Sequence, residues 1–455
     1  MMHAFTLRDA AEMIGANPMA SAVEYRGVST DTRTLQPGDL FVALRGDRFD
    51  GHQYLQQAID AGAVGVVVDS LQEGIKAPQL CVDDTVQALG KLALGNRLAS
   101  PVRCVSVTGS SGKTTVKEML AAILRQAGET LATQGNLNNH IGVPMTLFRL
   151  APQHRYAVIE LGASGLNEIA YTVNLARPDV AIITNAGEAH LEGFGSYQNI
   201  VQAKGEIIDG VPFDGAVILN ADDPACATWR ARAGERRVLA VGKSGENGVD
   251  YHYRNVRAED GAVVFDVVGA DGWLCPVRLN LPGEHNLVNA MMAIAATREM
   301  GVSDEAIYRG LTELKPVKGR LEKIALQSGV NLVDDSYNAN PTSMKAAIEY
   351  VAEQDGESVA VLGQMAELGA DAESLHREVG ALAARLGIAQ LVLVGDGVDG
   401  YVKGFGPAAR VFATHDEAAE WLSTEVHPPA TVLVKGSRSS AMDNVVRALI
   451  KKVNS

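Results

Sequence analysis

The stretch Val105-Ser106-Val107-Thr108-Gly109-Ser110-Ser111-Gly112-Lys113-Thr114-Thr115 constrains this chain more than any other. It reads as a buried strand, a tight glycine turn and a helix that starts at or near Lys113. Small residues let backbone N–H groups close around phosphate oxygens, and a helix N-terminus adds its positive end. Thr108, Gly109, Ser110, Ser111, Gly112, Lys113, Thr114 and Thr115 are therefore the candidate phosphate-binding set. In such a loop the lysine reaches the β- and γ-phosphates, and the next hydroxyl, here Thr114, ligates Mg²⁺. Val107 stands where the common spacing has its first glycine, so the loop is a compressed form, Gly-x-x-Gly-Lys-Thr. A plain structural turn is the competing reading of the loop by itself.

A chain of 455 residues has room for three domains at about 150 residues each. The net charge of -14 argues against nucleic acid or an anionic membrane as partner, while leaving room for a local basic pocket. The four cysteines form no close pair and read as reduced core residues of a cytoplasmic protein. No signal-peptide pattern opens the chain, and no apolar run is long enough to span a bilayer, so membrane insertion is not expected.

The rhythm of strands and helices predicts an α/β protein of three domains. Residues 1–82 form a small N-terminal α/β domain, with a helical pattern from Ala4 to Ile14 and strands at Leu40–Leu44 and Val64–Val68. Its loops carry Asp31, Arg33, Arg48, Asp50 and His52. These suit a polar or phosphorylated ligand, or else a solvated loop with internal ion pairs. Residues 83–312 form the central phosphate-loop domain, a mostly parallel sheet with strands at 156–161, 180–184, 216–219 and 238–241. Residues 313–455 form a C-terminal Rossmann-like domain that repeats the pattern, with 315–319 as connector. Parallel sheets bind ligands beyond the carboxyl ends of their strands. Polar strand ends in two adjacent domains therefore predict a cleft between them.

Glu160 ends its strand among apolar residues, where a carboxylate needs a cation or a metal. His190 closes Asn185-Ala186-Gly187-Glu188-Ala189-His190, and by itself reads as a structural loop histidine. A phosphate loop with a strand-end carboxylate indicates a nucleoside triphosphate and Mg²⁺. It leaves a kinase, an ATPase motor and an ATP-dependent ligase all open.

The chain resembles the Mur ligases, ATP-dependent amide ligases that build the peptide stem of peptidoglycan. The resemblance runs over essentially the full length. It rests on Thr108 to Thr115, the Glu160 strand end, Asn185 to His190, Lys204 in Gln202-Ala203-Lys204-Gly205-Glu206, Gly283-Glu284-His285-Asn286-Leu287-Val288-Asn289, and Gly319-Arg320-Leu321-Glu322. Within the family, Gly135-Asn136-Leu137-Asn138-Asn139, Asp334-Asp335-Ser336-Tyr337-Asn338-Ala339-Asn340-Pro341 and Gly363-Gln364-Met365-Ala366-Glu367-Leu368-Gly369 resemble the members that add a dipeptide. The Asp-Asn-Pro-Arg motif of the sibling that adds diaminopimelate is absent.

The resemblance implies ATP and Mg²⁺ as cofactors, and UDP-N-acetylmuramoyl-tripeptide and D-alanyl-D-alanine as substrates. It implies Thr114, Glu160, His190 and Lys204 in the magnesium region, with Lys204 carbamylated by CO₂, which turns a cation into an oxygen-bearing anion. Read from the residues alone, Lys204 is an exposed lysine on a helix from about Tyr197 to Ile208. Lys113, Lys204, Arg320 and His190 are the implied catalytic groups. Asn286 and Asn289 are implied to read the adenine edge, against helix capping as the plain alternative. Arg320 would hold the γ-phosphate, with Asp335 and Tyr337 near ribose and phosphates. Thr30, Asp31, Arg33, Asp50 and His52 would hold the UDP-sugar. Asn136, Asn338 and Arg438 complete the implied substrate set, and a monomer is the expected state. A kinase or regulatory ATPase, or a sibling ligase adding one amino acid, are the competing readings.

Overall fold

The computed structural model describes residues 2–17, 21–46, 49–246, 248–259 and 261–453. The protein is α/β and builds three main sheets along the chain. The first has four parallel strands, Val28–Ser29, Leu40–Val42, Gly65–Val68 and Gln79–Cys81, in sequence order.

Ahead of it, helix Leu7–Ile14 is shorter than its apolar pattern. The Thr6 hydroxyl accepts the Asp9 N–H while the Asp9 carboxylate accepts the Thr6 N–H, a reciprocal cap that stops the helix there. Phe5 and Thr6 pair instead with Tyr25 and Glu24. Helix Thr85–Ala99 then packs against Leu7–Ile14 and also against the middle domain, so one continuous core joins the first two domains.

The middle sheet has nine strands. Arg103–Thr108, buried from Cys104 onward, lies between the parallel strands Tyr156–Glu160 and Val180–Ile183. A strand covered on both faces needs an apolar run rather than alternation, and Cys104-Val105-Ser106-Val107 supplies one. The register sets Glu160 beside Val107 and Ile183 beside Thr108, which brings three strand ends to one edge. Helix Lys113–Ala127 leaves that edge and buries Val116, Met119, Leu120, Ile123 and Leu124, the i, i+3, i+4, i+7, i+8 stripe, against helices Glu284–Glu299 and Asp304–Thr312.

Four strands of this sheet escape the sequence reading. Thr130–Ala132 is short. Tyr251–Glu259, Ala262–Gly269 and Leu274–Leu279 form an antiparallel meander on the far edge. Tyr251–Glu259 is buried only at its first residue, so it carries no apolar run to mark it.

The third sheet runs Glu322–Ala325, Asn331–Asp335, Ala430–Lys435, Glu357–Leu362, Gln390–Val394, Arg410–Phe412, parallel except for its first pair. The four cysteines are free. Among the described residues no helix is long and apolar enough to cross a membrane.

Candidate active site

The strand ends of the second and third sheets face each other across a cleft of about 470 Å³. The phosphate loop forms its floor. Gly109 has φ 147°, and a Cβ there would lie 1.9 Å from Thr184 Oγ1, so only glycine fits. Gly112 has φ 79° and abuts the Asn289 amide, 2.9 Å from where a Cβ would stand. The loop is clamped from behind by the next strand end. Ser111 N–H donates to Asn185 Oδ1 at 3.0 Å, and the Gly187 N–H donates to the Ser110 hydroxyl at 2.9 Å. Thr108 is fully buried and donates its hydroxyl to the Leu161 carbonyl at 2.8 Å, which makes it a strut beneath the loop and not part of the cleft wall. Ser110 through Thr115 line the cleft.

Lys113 folds back to donate to the Gly109 carbonyl at 2.6 Å. Burial holds its ammonium below the ordinary lysine range; the nearby Glu160 opposes that shift and Arg320 adds to it. Glu160 is 2% exposed, yet its hydrogen-bond partners are neutral. Oε2 accepts from the Thr114 hydroxyl at 3.0 Å and Oε1 accepts from Asn138 Nδ2 at 2.9 Å. The core ion pair that its sequence setting allowed is not what the fold builds. Thr114 also accepts Arg320 Nη2 at 3.0 Å.

Lys204 is 2% exposed, against the exposed helical position read from sequence alone. Helix Tyr197–Asp209 turns Ala203, Lys204, Ile207 and Ile208 inward, and the Lys204 ammonium lies 5.0 Å from the centre of the Phe194 ring. Burial, reinforced by the charge of Lys113, pulls its pKa down to about 7. Lys204 sits behind the cleft wall and not on it.

His190 does line the cleft, in a left-handed conformation with φ 56°. Its Nδ1 meets the Glu367 carboxylate of the third domain. The neighbouring Glu192 N–H donates to the Glu367 carbonyl at 3.2 Å, and Leu191 packs on the third-domain core.

At the other end of the cleft, Asn286 and Asn289 are buried inside helix Glu284–Glu299, not at its cap, which is Gly283. Asn286 Nδ2 donates to the Pro282 carbonyl at 2.6 Å, and Asn289 Nδ2 donates to Asn286 Oδ1 at 3.1 Å. Capping therefore does not account for them.

The third domain contributes the opposite wall. Asp335 accepts Lys435 Nζ at 2.6 Å and the Leu321 N–H at 3.1 Å, which pins the connector to the sheet. Arg320 stacks 4.4 Å from the centre of the Tyr337 ring, and Arg438 lies 5.9 Å from the same centre. Asn340 Nδ2 reaches across to the Ser110 carbonyl at 3.3 Å. Asn136, Asn338, Arg320, Asp335 and Arg438 all line the cleft.

Thr30, Asp31, Arg33, Asp50 and His52 lie outside this cleft. Arg33 pairs with Asp31 at 2.6 Å and holds that carboxyl down at about 2. Arg45 bridges Asp50 at 3.0 Å and Asp69 at 2.5 Å. His52 Nδ1 donates to Asp50 at 2.7 Å, while its Nε2 accepts the Asp69 N–H at 3.2 Å. Arg48 lies outside the described residues.

Sequence reasoning assigned no role to Asn138, Thr133 or Asn340. The signal for Asn138 was present, in the run of asparagines from Asn136 to Asn139, but nothing in the run says which amide turns toward Glu160. Among the described residues no group of three His, Cys, Asp or Glu side chains could hold a metal. One carboxylate and one hydroxyl do suit Mg²⁺, which keeps waters and takes most of its remaining oxygens from substrate phosphates.

Three family models match the chain: "Mur ligase family, catalytic domain" over residues 24–97, "Mur ligase middle domain" over 107–297, and "Mur ligase, glutamate ligase domain" over 319–438. The UDP-N-acetylmuramoyl-tripeptide--D-alanyl-D-alanine ligase of Escherichia coli (strain K12) is 44% identical over 450 residues, covering 98% of this chain and 99% of that one. Among solved structures, a MurF from Acinetobacter baumannii superposes with a TM-score of 0.92 at 35% identity, covering 99% of both chains. A MurF ligase from Thermotoga maritima in complex with ADP gives 0.85 at 29% identity, covering 94% of this chain and 98% of that one.

Proposed function

This chain belongs to the Mur ligase family, and we propose that it joins D-alanyl-D-alanine to UDP-N-acetylmuramoyl-tripeptide at the expense of ATP. The products are UDP-N-acetylmuramoyl-pentapeptide, ADP and phosphate. The relatives named for this reaction match nearly the whole chain. The structural observation that carries the reading is the Arg320–Thr114 hydrogen bond. It seats a cation from the third-domain connector on the phosphate loop of the middle domain.

The terminal carboxylate of the tripeptide attacks the γ-phosphorus, the bond to ADP breaks, and an acyl phosphate forms. Lys113 from the phosphate loop and Arg320 from the third-domain side offset the charge spread over the transferring oxygens. Mg²⁺, held by Thr114 and Glu160, would supply further charge neutralisation there. The amine of the dipeptide then attacks the acyl carbon, loses a proton, and expels phosphate. An acyl phosphate hydrolyses in water, so the groups that bring the third domain onto the middle one protect it: Asn340 on Ser110, and Glu367 on His190 and Glu192.

Lys204 supports the carbamate expectation through its environment. An ordinary lysine has a pKa near 10.4 and is almost wholly charged at pH 7. Lys204, drawn down to about 7, keeps a large neutral fraction able to attack CO₂. The N–C bond forms, a proton leaves, and the buried cation becomes a carbamate anion. Asn286 and Asn289 hold the adenine, Arg438 and Asn338 the dipeptide, and Asn136 the tripeptide end. The first domain, through Thr30, Asp31, Arg33, Asp50 and His52, holds the UDP-sugar. We assign residues 1–82, 83–312 and 313–455 to these three tasks, in a cytoplasmic monomer.

Phosphate release by the purified chain tests this. With ATP and Mg²⁺, release should require both UDP-N-acetylmuramoyl-tripeptide and D-alanyl-D-alanine. ATP turnover that continues unchanged without the dipeptide would instead indicate a kinase or ATPase.

A further inference from the structure

Glu160 offers two oxygens to the cleft, and the fold treats them differently. Oε2 accepts the Thr114 hydroxyl at 3.0 Å, while Oε1 accepts Asn138 Nδ2 at 2.9 Å. A carboxylate at that distance can only accept, so the Asn138 amide must present its N–H face. Asn138 is itself held on both sides. Its backbone N–H donates to the Asn136 carbonyl at 2.8 Å, and its backbone carbonyl accepts the Gly162 N–H at 2.8 Å. Gly162 leaves the amide its space, since a Cβ there would stand 2.8 Å from Asn138 Oδ1. The strand end is fixed as well, because the Glu160 N–H donates to Thr133 Oγ1 at 3.0 Å.

We infer that Asn138 is a positioning residue that selects Mg²⁺ over Ca²⁺ by fixing the orientation of the Glu160 carboxylate through Oε1. The inference rests on the nucleotide and Mg²⁺ reading of the cleft. Mg²⁺ is small, demands near-octahedral geometry and keeps its waters, whereas Ca²⁺ accepts more oxygens and readily takes both from one carboxylate. Each carboxylate oxygen keeps a lone pair beyond its one hydrogen bond, and the amide on Oε1 fixes the plane in which those lone pairs point, with Oε2 turned toward Thr114. A metal at Thr114 then meets one Glu160 oxygen, which suits the smaller ion and disfavours the larger one's two-oxygen contact. Losing the amide frees Oε1 and lets the carboxylate rotate, which costs Mg²⁺ more than Ca²⁺. Partners that orient a metal ligand typically matter 10–100-fold in metal affinity.

The test titrates Mg²⁺ and, separately, Ca²⁺ into the full chain with ADP, by calorimetry, for the wild type, Asn138→Leu and Asn138→Ala. Leucine keeps the volume and removes the donor, and alanine covers the case in which leucine disturbs the loop. The metal–ADP association in solution is common to all chains and cancels in the comparison. The wild type should favour Mg²⁺, and the Mg²⁺/Ca²⁺ affinity ratio should fall about tenfold in the variants, with metal-free ADP binding unchanged. An unchanged ratio in both variants, with Mg²⁺ still bound by the wild type, overturns this inference alone. A wild-type chain that binds no Mg²⁺ in the presence of ADP overturns the nucleotide reading, and this inference with it.

Discussion

The loops of the first domain and the phosphate-loop floor of the cleft both carry charge, and they use it in opposite ways. In the first domain the charges satisfy one another: Arg33 with Asp31, Arg45 with Asp50 and Asp69, and His52 with Asp50 and the Asp69 backbone. At the phosphate loop, Lys113 and Arg320 hydrogen-bond only neutral atoms, the Gly109 and Ser110 carbonyls and the Thr114 hydroxyl, and the buried Glu160 likewise has a hydroxyl and an amide; the paired charges of the cleft, Asp335 with Lys435, stand on the opposite wall. Charges paired with each other are already compensated. Charges held by neutral partners keep most of their field for a ligand. Charge held by neutral partners marks the phosphate loop as the place where a ligand's charge would be compensated.

Substitutions should break this contrast unequally. Lys113→Met should lower kcat by about 10³-fold or more, the scale of losing a donor aimed at transition-state charge. Its melting temperature should hold or rise, because a half-buried ammonium with a depressed pKa is replaced by apolar volume. A large fall in stability, measured by thermal unfolding, would mean that the ammonium is structural.

Lys204→Met sharpens the same point through pH. Burial first, and Lys113 second, lower the folded pKa to about 7, while the unfolded chain keeps the ordinary value near 10.4. Between those two values the unfolded state binds more protons, so this group makes the wild type gain stability as pH rises from about 7 toward 10. Chemical unfolding in bicarbonate-free buffer should show that slope reduced in Lys204→Met. Parallel profiles would contradict the assigned burial.

Arg320→Lys should lower kcat/KM by about 10–100-fold, since an ammonium loses the flat stacking on Tyr337 and the fork that reaches Thr114. An equal kcat/KM would reduce Arg320 to a mere point charge. The smallest effect on catalysis belongs to the first domain. His52→Ala should cost about 1–3 kcal/mol of unfolding free energy, because two buried hydrogen bonds are lost. Its kcat at saturating substrate should stay within about twofold, as measured by phosphate release.

Much of this contrast was legible in the sequence, for reasons that differ by residue. The phosphate loop announced itself because Gly109 and Gly112 stand where a Cβ would collide, so the chemistry and the spacing coincide. Glu160 was legible as a carboxylate at the end of an apolar strand. The first-domain loops carry comparable charge, and charge alone does not reveal that Asp31 and Arg33 pair with each other before any ligand arrives. Lys204 read as exposed because a lysine on a mixed helix usually is, and only the packing of Phe194 and the inward turn of the helix bury it. The antiparallel strands from Tyr251 to Leu279 went unseen. Tyr251–Glu259 has no apolar run to mark it, and the run Val263-Val264-Phe265 of Ala262–Gly269 is too short by itself to tell strand from helix. Asn138 depends on a long-range partner, 22 residues away, which no local pattern encodes.

The central claim is that the cleft activates a carboxylate by phosphorylating it, and oxygen labelling tests that most directly. UDP-N-acetylmuramoyl-tripeptide carrying ¹⁸O in its terminal carboxylate should be turned over with ATP, Mg²⁺ and D-alanyl-D-alanine, and the released phosphate analysed by mass. An acyl phosphate leaves one carboxylate oxygen on phosphorus, so the account predicts one ¹⁸O in each phosphate released with product. Product formation with unlabelled phosphate would contradict it.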